Sequence, residues 1–418
     1  MRYSKKLKIL QLLVLWLLLL TLMPLSALAS PDGAVLDPSE GQGPVAGGEE
    51  MVAKGKILEV LETTTEEVTN YVLVRERMLV EVVSGPLKGQ KIETFNVNDS
   101  NMPYQIRVEK GDAVVLYLIV DEQGQVQEAY ITERARDSLL LLMLLFFGGL
   151  MLLVGGLRGL RAMVALGITM YAILGILLPG ILKGWSPMGL SILISLGIIV
   201  VSIPLISGLN RKALVAMAGT FSGVLTAGLL AWIAARLAGL TGLSMEEATM
   251  LSYIPQAVEL DFRGLLFATN ILGALGAVMD VAVSVSASLW ELKHLNPSIS
   301  GARLWRSGMN IGKDIIGTMA NTLILAYTGG GLYLLLLLYA YEMPLFEIVN
   351  LDSMATEIVR ALAGSMGLIL TIPLTALLGA VFFSRGSGGA GDAEPDRQEP
   401  DTQEYAYEDE YEEGEGIF

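Results

Sequence analysis

Cysteine is missing from this chain, and His294 is its single histidine. The first absence excludes disulfides, thiol nucleophiles and Cys-ligated zinc or iron–sulfur centres; the second excludes a polyhistidine metal site. No Walker sequence, GxSxG, HExxH or Gly-rich dinucleotide fingerprint occurs, so the usual motif-borne enzyme chemistries find no footing. A membrane aspartyl mechanism needs two acids paired at depth, and only Asp280 lies deep in an apolar run. The sequence therefore reads as a non-enzyme, with no cofactor and no metal. Charge is sparse and bunched. Residues 386–418 hold twelve Asp/Glu against one Arg, which is most of the net charge of −15. The remainder is nearly neutral. With 53% hydrophobic residues and a mean hydropathy of +0.56 over the whole chain, the composition is that of a multispan membrane protein.

The amino terminus has the form of a targeting segment. Arg2, Lys5, Lys6 and Lys8 precede the apolar run Ile9–Met23, and Ala27-Leu28-Ala29 fits a small-x-small cleavage site. Residues 1–29 are thus a signal peptide or a first transmembrane helix. Residues 30–50, rich in Gly, Pro and acid, form a linker. Residues 51–135 change character. Five runs rich in β-branched and aromatic residues (54–61, 71–83, 90–96, 113–120 and 126–132) are separated by Gly-Pro, Lys-Gly, Asn-Asp-Ser and similar breaks. They predict a small antiparallel barrel like the oligonucleotide/oligosaccharide-binding (OB) fold. The segment lacks a basic, aromatic-interleaved face, so nucleic acid is not its partner.

Residues 138–384 read as a seven-span domain, with apolar runs near 139–156, 163–182, 188–206, 213–237, 264–290, 315–340 and 358–383. The sixth contains Gly329-Gly330-Gly331, where it either breaks or continues past the membrane. Alternate connections carry Arg158/Arg161, Arg211/Lys212, Lys293/Arg303/Arg306/Lys313 and Arg385, whereas the opposing ones are mainly acidic. By the positive-inside rule the β-rich domain lies outside the bacterial cytoplasmic membrane, and the tail, residues 385–418, lies inside. That acidic tail has too little apolar surface to fold and is expected to be disordered. Gly219 and Gly223 give a GxxxG spacing, a close-packing signal.

Two adjacent apolar segments carry one polar pattern. Asp280, Ser284, Ser288 and Glu291 recur at i, i+4, i+8 and i+11; Asn310, Asp314, Thr318 and Asn321 repeat those offsets. Each set lies on one helical face. Asp280 is ten residues from Trp290, about 15 Å into the bilayer. A carboxylate there faces a polar interior or an aqueous path. One reading makes Asp280 a proton- or cation-coupling group; the other makes it a hydrogen-bonded tie between helices. Antiparallel pairing of the two segments sets Asn321 near the depth of Asp280. Lys313, beside Asp314, is either a partner for Glu291 or a snorkelling anchor.

The run from Gly273 through Asp280 to Leu292, then Asn296-Pro297, then Ser307 through Lys313-Asp314 to Tyr327 resembles the signature of the YibE/F-like bacterial membrane proteins. Lys313 stands where Arg is frequent in that family, which keeps the charge without the fork geometry. The resemblance implies a multipass membrane protein and brings no established activity. A weaker likeness links the leader, outer domain and Asp-bearing helix to half of a resistance-nodulation-division or SecF-type permease; two additional spans, near 139–182, depart from that plan. Such halves work in pairs, which implies a homodimer or a sister membrane subunit in the lipid bilayer. The expected function is a secondary transporter with a polar seam around Asp280; the alternative is a membrane scaffold or assembly factor whose outer β-domain binds a partner.

Overall fold

A computed structural model describes residues 49–68, 71–121, 123–254 and 259–384. The expected leader, nearly all of the linker and the acidic tail lie outside the described residues. The chain divides between Leu144 and Leu145 into two compact units.

In the first unit, strands β1 (Glu49–Val68), β2 (Tyr71–Val82), β3 (Lys91–Asp99), β4 (Ala113–Val120) and β5 (Val126–Arg134) close into a barrel in the order β1-β2-β3-β5-β4. One expectation needs correction: the β3/β5 pairing, Phe95 opposite Tyr130, is parallel. A closed ring of five strands cannot alternate direction throughout, so one neighbouring pair must run the same way. Strand β1 is also far longer than the run that predicted it. It pairs with β4 through its first half and with β2 through its second. Two register shifts and Gly55 let it bend; a Cβ at Gly55 would come within 2.6 Å of Leu116 and Val80. Period-two alternation sets the core: Val114, Leu116, Leu118 and Val120 of β4 all point inward against Ile57, Met78 and Val80. Asn98 holds the loop before β4, accepting from the Ile106 N–H at 2.9 Å and donating to its carbonyl at 3.1 Å.

The second unit is helical. A continuous helical run begins with α1 (Asp137–Tyr171), passes through a π-helical turn (Ala172–Leu177) and ends in α2 (Leu178–Leu182). It is followed by α3 (Pro187–Ser207), α4 (Arg211–Leu237), the short α5 (Glu246–Ser252), α6 (Phe262–Leu295), α7 (Gly301–Gly330), α8 (Leu332–Ala340), the short α9 (Leu345–Asn350) and α10 (Asp352–Ser384). Starts are set by local capping. Asn210 accepts from the Ala213 N–H and Asp261 from the Gly264 N–H, both at 2.9 Å. Among the described residues, five helical segments are long and apolar enough to cross a membrane, or six if α7 and α8, bent by 60° at Gly331, are one span. Of the two outcomes left open at Gly329–Gly331, the break is the one present.

The first two expected spans fall in one helical run, 137–182, that reverses at Gly156 (φ 54°, ψ −131°), a left-handed conformation glycine adopts without penalty. A Cβ at Gly148 would sit 2.9 Å from the Met163 side chain, and one at Gly159 would overlap the Met151 carbonyl. A straight helix would hold residues 148 and 163 about 22 Å apart, so the two arms fold back on each other.

Helices α4, α6 and α10 form the centre. Val215, Val278, Val281, Val285, Leu368 and Ile372 are among its fully enclosed side chains. The antiparallel α4/α10 contact is a ladder of small residues: Gly219 faces Thr375, Gly223 faces Thr371 and Ala227 faces Gly367. The Thr371 hydroxyl is kept internal by donating to the Gly367 carbonyl at 2.7 Å. The GxxxG signal is therefore a packing device. Much of the outside of this unit is apolar; Leu153 and Val154 are more than four-fifths exposed. Such a surface is stable against lipid chains and not against water.

Candidate functional site

The repeated polar pattern of α6 and α7 becomes a single surface feature. These helices are antiparallel neighbours, with Gly308 against Leu289 near the turn and Gly273 against the Tyr327 hydroxyl at the far end. That register sets Asp280 level with Thr318, Ser284 with Asp314 and Ser288 with Asn310. Asn321 lies about one helical turn beyond Asp280. The buried ridge of α6 runs through Ala274, Val278, Val281, Val285 and Leu289, and that of α7 through Leu304, Gly308 and Gly312. Gly308 and Gly312 let α7 lie close on α10, against Ala376 and Ile372.

The polar stripes fall on the other side of both helices. Asp280, Ser284, Glu291, Asn310, Lys313, Asp314, Thr318 and Asn321 are all exposed, and Ser288 is half-buried. The protomer does not enclose them. Ser288 and Thr318 satisfy their hydroxyls on their own helices, donating to the carbonyls of Ser284 (2.9 Å) and Ile315 (3.0 Å). Asp280, Glu291, Lys313, Asp314 and Asn321 make no side-chain hydrogen bond or ion pair with the described residues. The face thus offers fixed neutral acceptors and donors around ionisable groups that have no partner among the described residues. Beside Asp280 the α6 surface is small, with Gly276 and Ala277, so another helix can approach closely. Among the described residues, no three carboxylate or imidazole groups converge as metal ligands would.

A second charged feature was missed by sequence reasoning. Arg360 donates to Glu357 at 2.7 Å, and their side chains are only 14% and 18% exposed. The Arg360 Nε and the nearby Tyr327 hydroxyl are enclosed without a partner among the described residues. Glu357 reads in sequence as an outer-loop acid and Arg360 as the first residues of a span. The available signal was their i,i+3 spacing at the start of α10.

The family model for YibE/F-like proteins matches residues 142–385, more than half of the chain, and the chain belongs to that family. The matched segment contains the whole polar face. No curated protein and no solved structure matches the chain.

Proposed function

We propose that this YibE/F-like multipass membrane protein is a secondary transporter, without catalytic chemistry of its own, whose path is completed when a second copy covers the polar face of α6 and α7. The observation that carries this reading is Asp280, exposed at mid-helix within a polar stripe on the outside of the helical unit. A carboxylate at that depth costs about 2.5–3.5 kcal/mol against lipid on insertion scales. The face bears both signs, with Lys313 among Asp314 and Glu291, so a twofold axis sets it against a complementary copy of itself. Asp280 is then the coupling residue, exchanging a proton or cation as access alternates. Ser284, Ser288, Asn310, Thr318 and Asn321 supply neutral hydrogen-bonding groups along the same path.

In this reading the chain makes seven crossings: the two arms either side of Gly156, then α3, α4, α6, the bent α7/α8 and α10. Arg158/Arg161, Arg211/Lys212 and Arg303/Arg306 then share the cytoplasmic side of the bacterial membrane, and the β-domain is extracytoplasmic. The test is a transport and growth screen in a deletion strain complemented with Asp280→Asn. Asn keeps shape and hydrogen bonding and cannot change charge, so the variant is expected to insert normally and lose transport. Full activity in the Asn variant would end the coupling role.

A second reading, a scaffold or assembly factor, is favoured by one observation. Phe95 and Tyr130, paired across β3/β5, are 42% and 41% exposed beside Val97. Loss of function in Phe95→Ala/Tyr130→Ala, with Asp280→Asn fully active, would choose it.

A further inference from the structure

A cavity of about 420 Å³ lies where the turn after Gly156, the end of α3, the start of α4 and the middle of α6 meet. Three cations line it: Arg158, Arg161 and Lys212. No acidic residue is in its lining, and none of the three makes an ion pair with the described residues. Arg303 and Arg306 are likewise without an ion pair among the described residues; what sets Arg158, Arg161 and Lys212 apart is that all three face one cavity. Three like charges around one space repel unless an anion sits among them.

The rest of the cavity suits an anion. The reversal at Gly156 starts the helical arm that carries Arg158 and Arg161 one turn apart on one face. The 27-residue α4 opens onto the cavity at its first turn, the positive end of its dipole. The Asn210 cap takes the Ala213 N–H and leaves the earlier N–H groups of that turn for another acceptor. The Ser286 hydroxyl donates to the Lys212 carbonyl at 2.7 Å, fixing this turn against α6. Positive-inside retention asks only that cations lie on one side of the membrane; it does not ask them to face one cavity.

We propose that this cavity is a phosphate site, in which Arg158, Arg161 and Lys212 together hold the phosphate group of an anionic phospholipid or of a soluble phosphate compound. Guanidinium forks match the oxygen pairs of a phosphate, and an ammonium adds a point charge. Ile206 and Val283 at the lining accept the apolar part of an ester. The site stands whether or not the protein transports anything.

The test uses the full chain with two charge-matched variants. Arg158→Gln/Arg161→Gln empties the cavity of guanidinium; Arg303→Gln/Arg306→Gln removes two arginines that do not line it. Each protein is reconstituted in phosphatidylcholine nanodiscs with or without phosphatidylglycerol, and retained lipid is counted by native mass spectrometry. A thermal-shift series with inorganic phosphate runs in parallel. Retention of phosphatidylglycerol weakened about tenfold or more in the cavity variant alone identifies a lipid headgroup. Loss of phosphate stabilisation in the cavity variant alone identifies a soluble phosphate. The proposal is overturned if the cavity variant matches the unsubstituted protein in both assays, or if the control variant loses as much. Should the double variant fail to insert, Lys212→Gln, which leaves both arginines in place, is read by the same criteria.

Discussion

Replacing Asp280 by leucine separates a lipid-facing stripe from one covered by a second copy. At the centre of a membrane helix Asp costs about 2.5–3.5 kcal/mol and Leu gains about 0.3–0.6 kcal/mol. Asp280→Leu therefore makes an uncovered protomer more comfortable in lipid by about 3–4 kcal/mol. If pairing hides the stripe, that is the driving force the variant loses for each copy, about 6–8 kcal/mol for the pair, a factor on the order of ten thousand to a million in the dissociation constant. The chain has no cysteine, so Ser298→Cys, in the exposed α6–α7 turn, gives one clean labelling site for donor and acceptor dyes. Energy transfer is then followed as labelled protein is diluted into excess liposomes. The unsubstituted protein is expected to hold its transfer to far lower density than Asp280→Leu. Asp280→Asn, which still hydrogen-bonds, should fall between them. If the Leu variant dissociates on the same curve, or the unsubstituted protein is monomeric at every density, the second copy does not cover this face.

Three further outcomes follow from particular contacts. Gly223→Ala should destabilise the helical unit by about 1–3 kcal/mol, because its Cβ would overlap the Thr371 hydroxyl and sit 2.8 Å from Val278, whereas Gly317→Ala meets open space and should be tolerated; thermal unfolding in detergent compares them. Cysteines at Gly148 and Met163 should be joined within one chain by a short bismaleimide, and failure to cross-link would contradict the reversal at Gly156. Glu133 titrates below the usual carboxylate range because Tyr104 donates to it at 2.9 Å and Arg136 at 3.0 Å. Its small, exposed contribution is present at neutral pH and disappears as pH falls through the lowered value; Glu133→Gln should flatten that part of the acid unfolding profile of the β-domain, and an unchanged profile would show that the contact adds nothing.

Sequence alone determined the broad architecture, because its signals are local. A run rich in β-branched and aromatic residues marked β4 over the same residues it occupies, and Gly/Pro/Asn breaks separated five strands. Apolar runs marked the membrane helices, and the Gly329–Gly331 run marked the bend of α7/α8. The i, i+4, i+8, i+11 spacing put both polar stripes on single faces without any coordinates. The YibE/F-like family was legible in the same segment.

Other features depend on groups distant in sequence, and only the tertiary structure decided them. The parallel β3/β5 pair follows from closing a five-strand ring, a constraint no single strand carries. The reversal at Gly156 depends on the second arm returning against the first. Gly219 and Gly223 declared close packing, yet which helix they meet was fixed by Thr371 and Thr375, some 150 residues later. Spacing could say that Asp280 and Asp314 share a face with their neighbours on each helix. It could not say whether that face turns inward or outward. The answer came from Gly308 and Gly312: they seat α7 on α10, this rotates the polar stripe to the protomer surface, and the helices bury their apolar ridges instead.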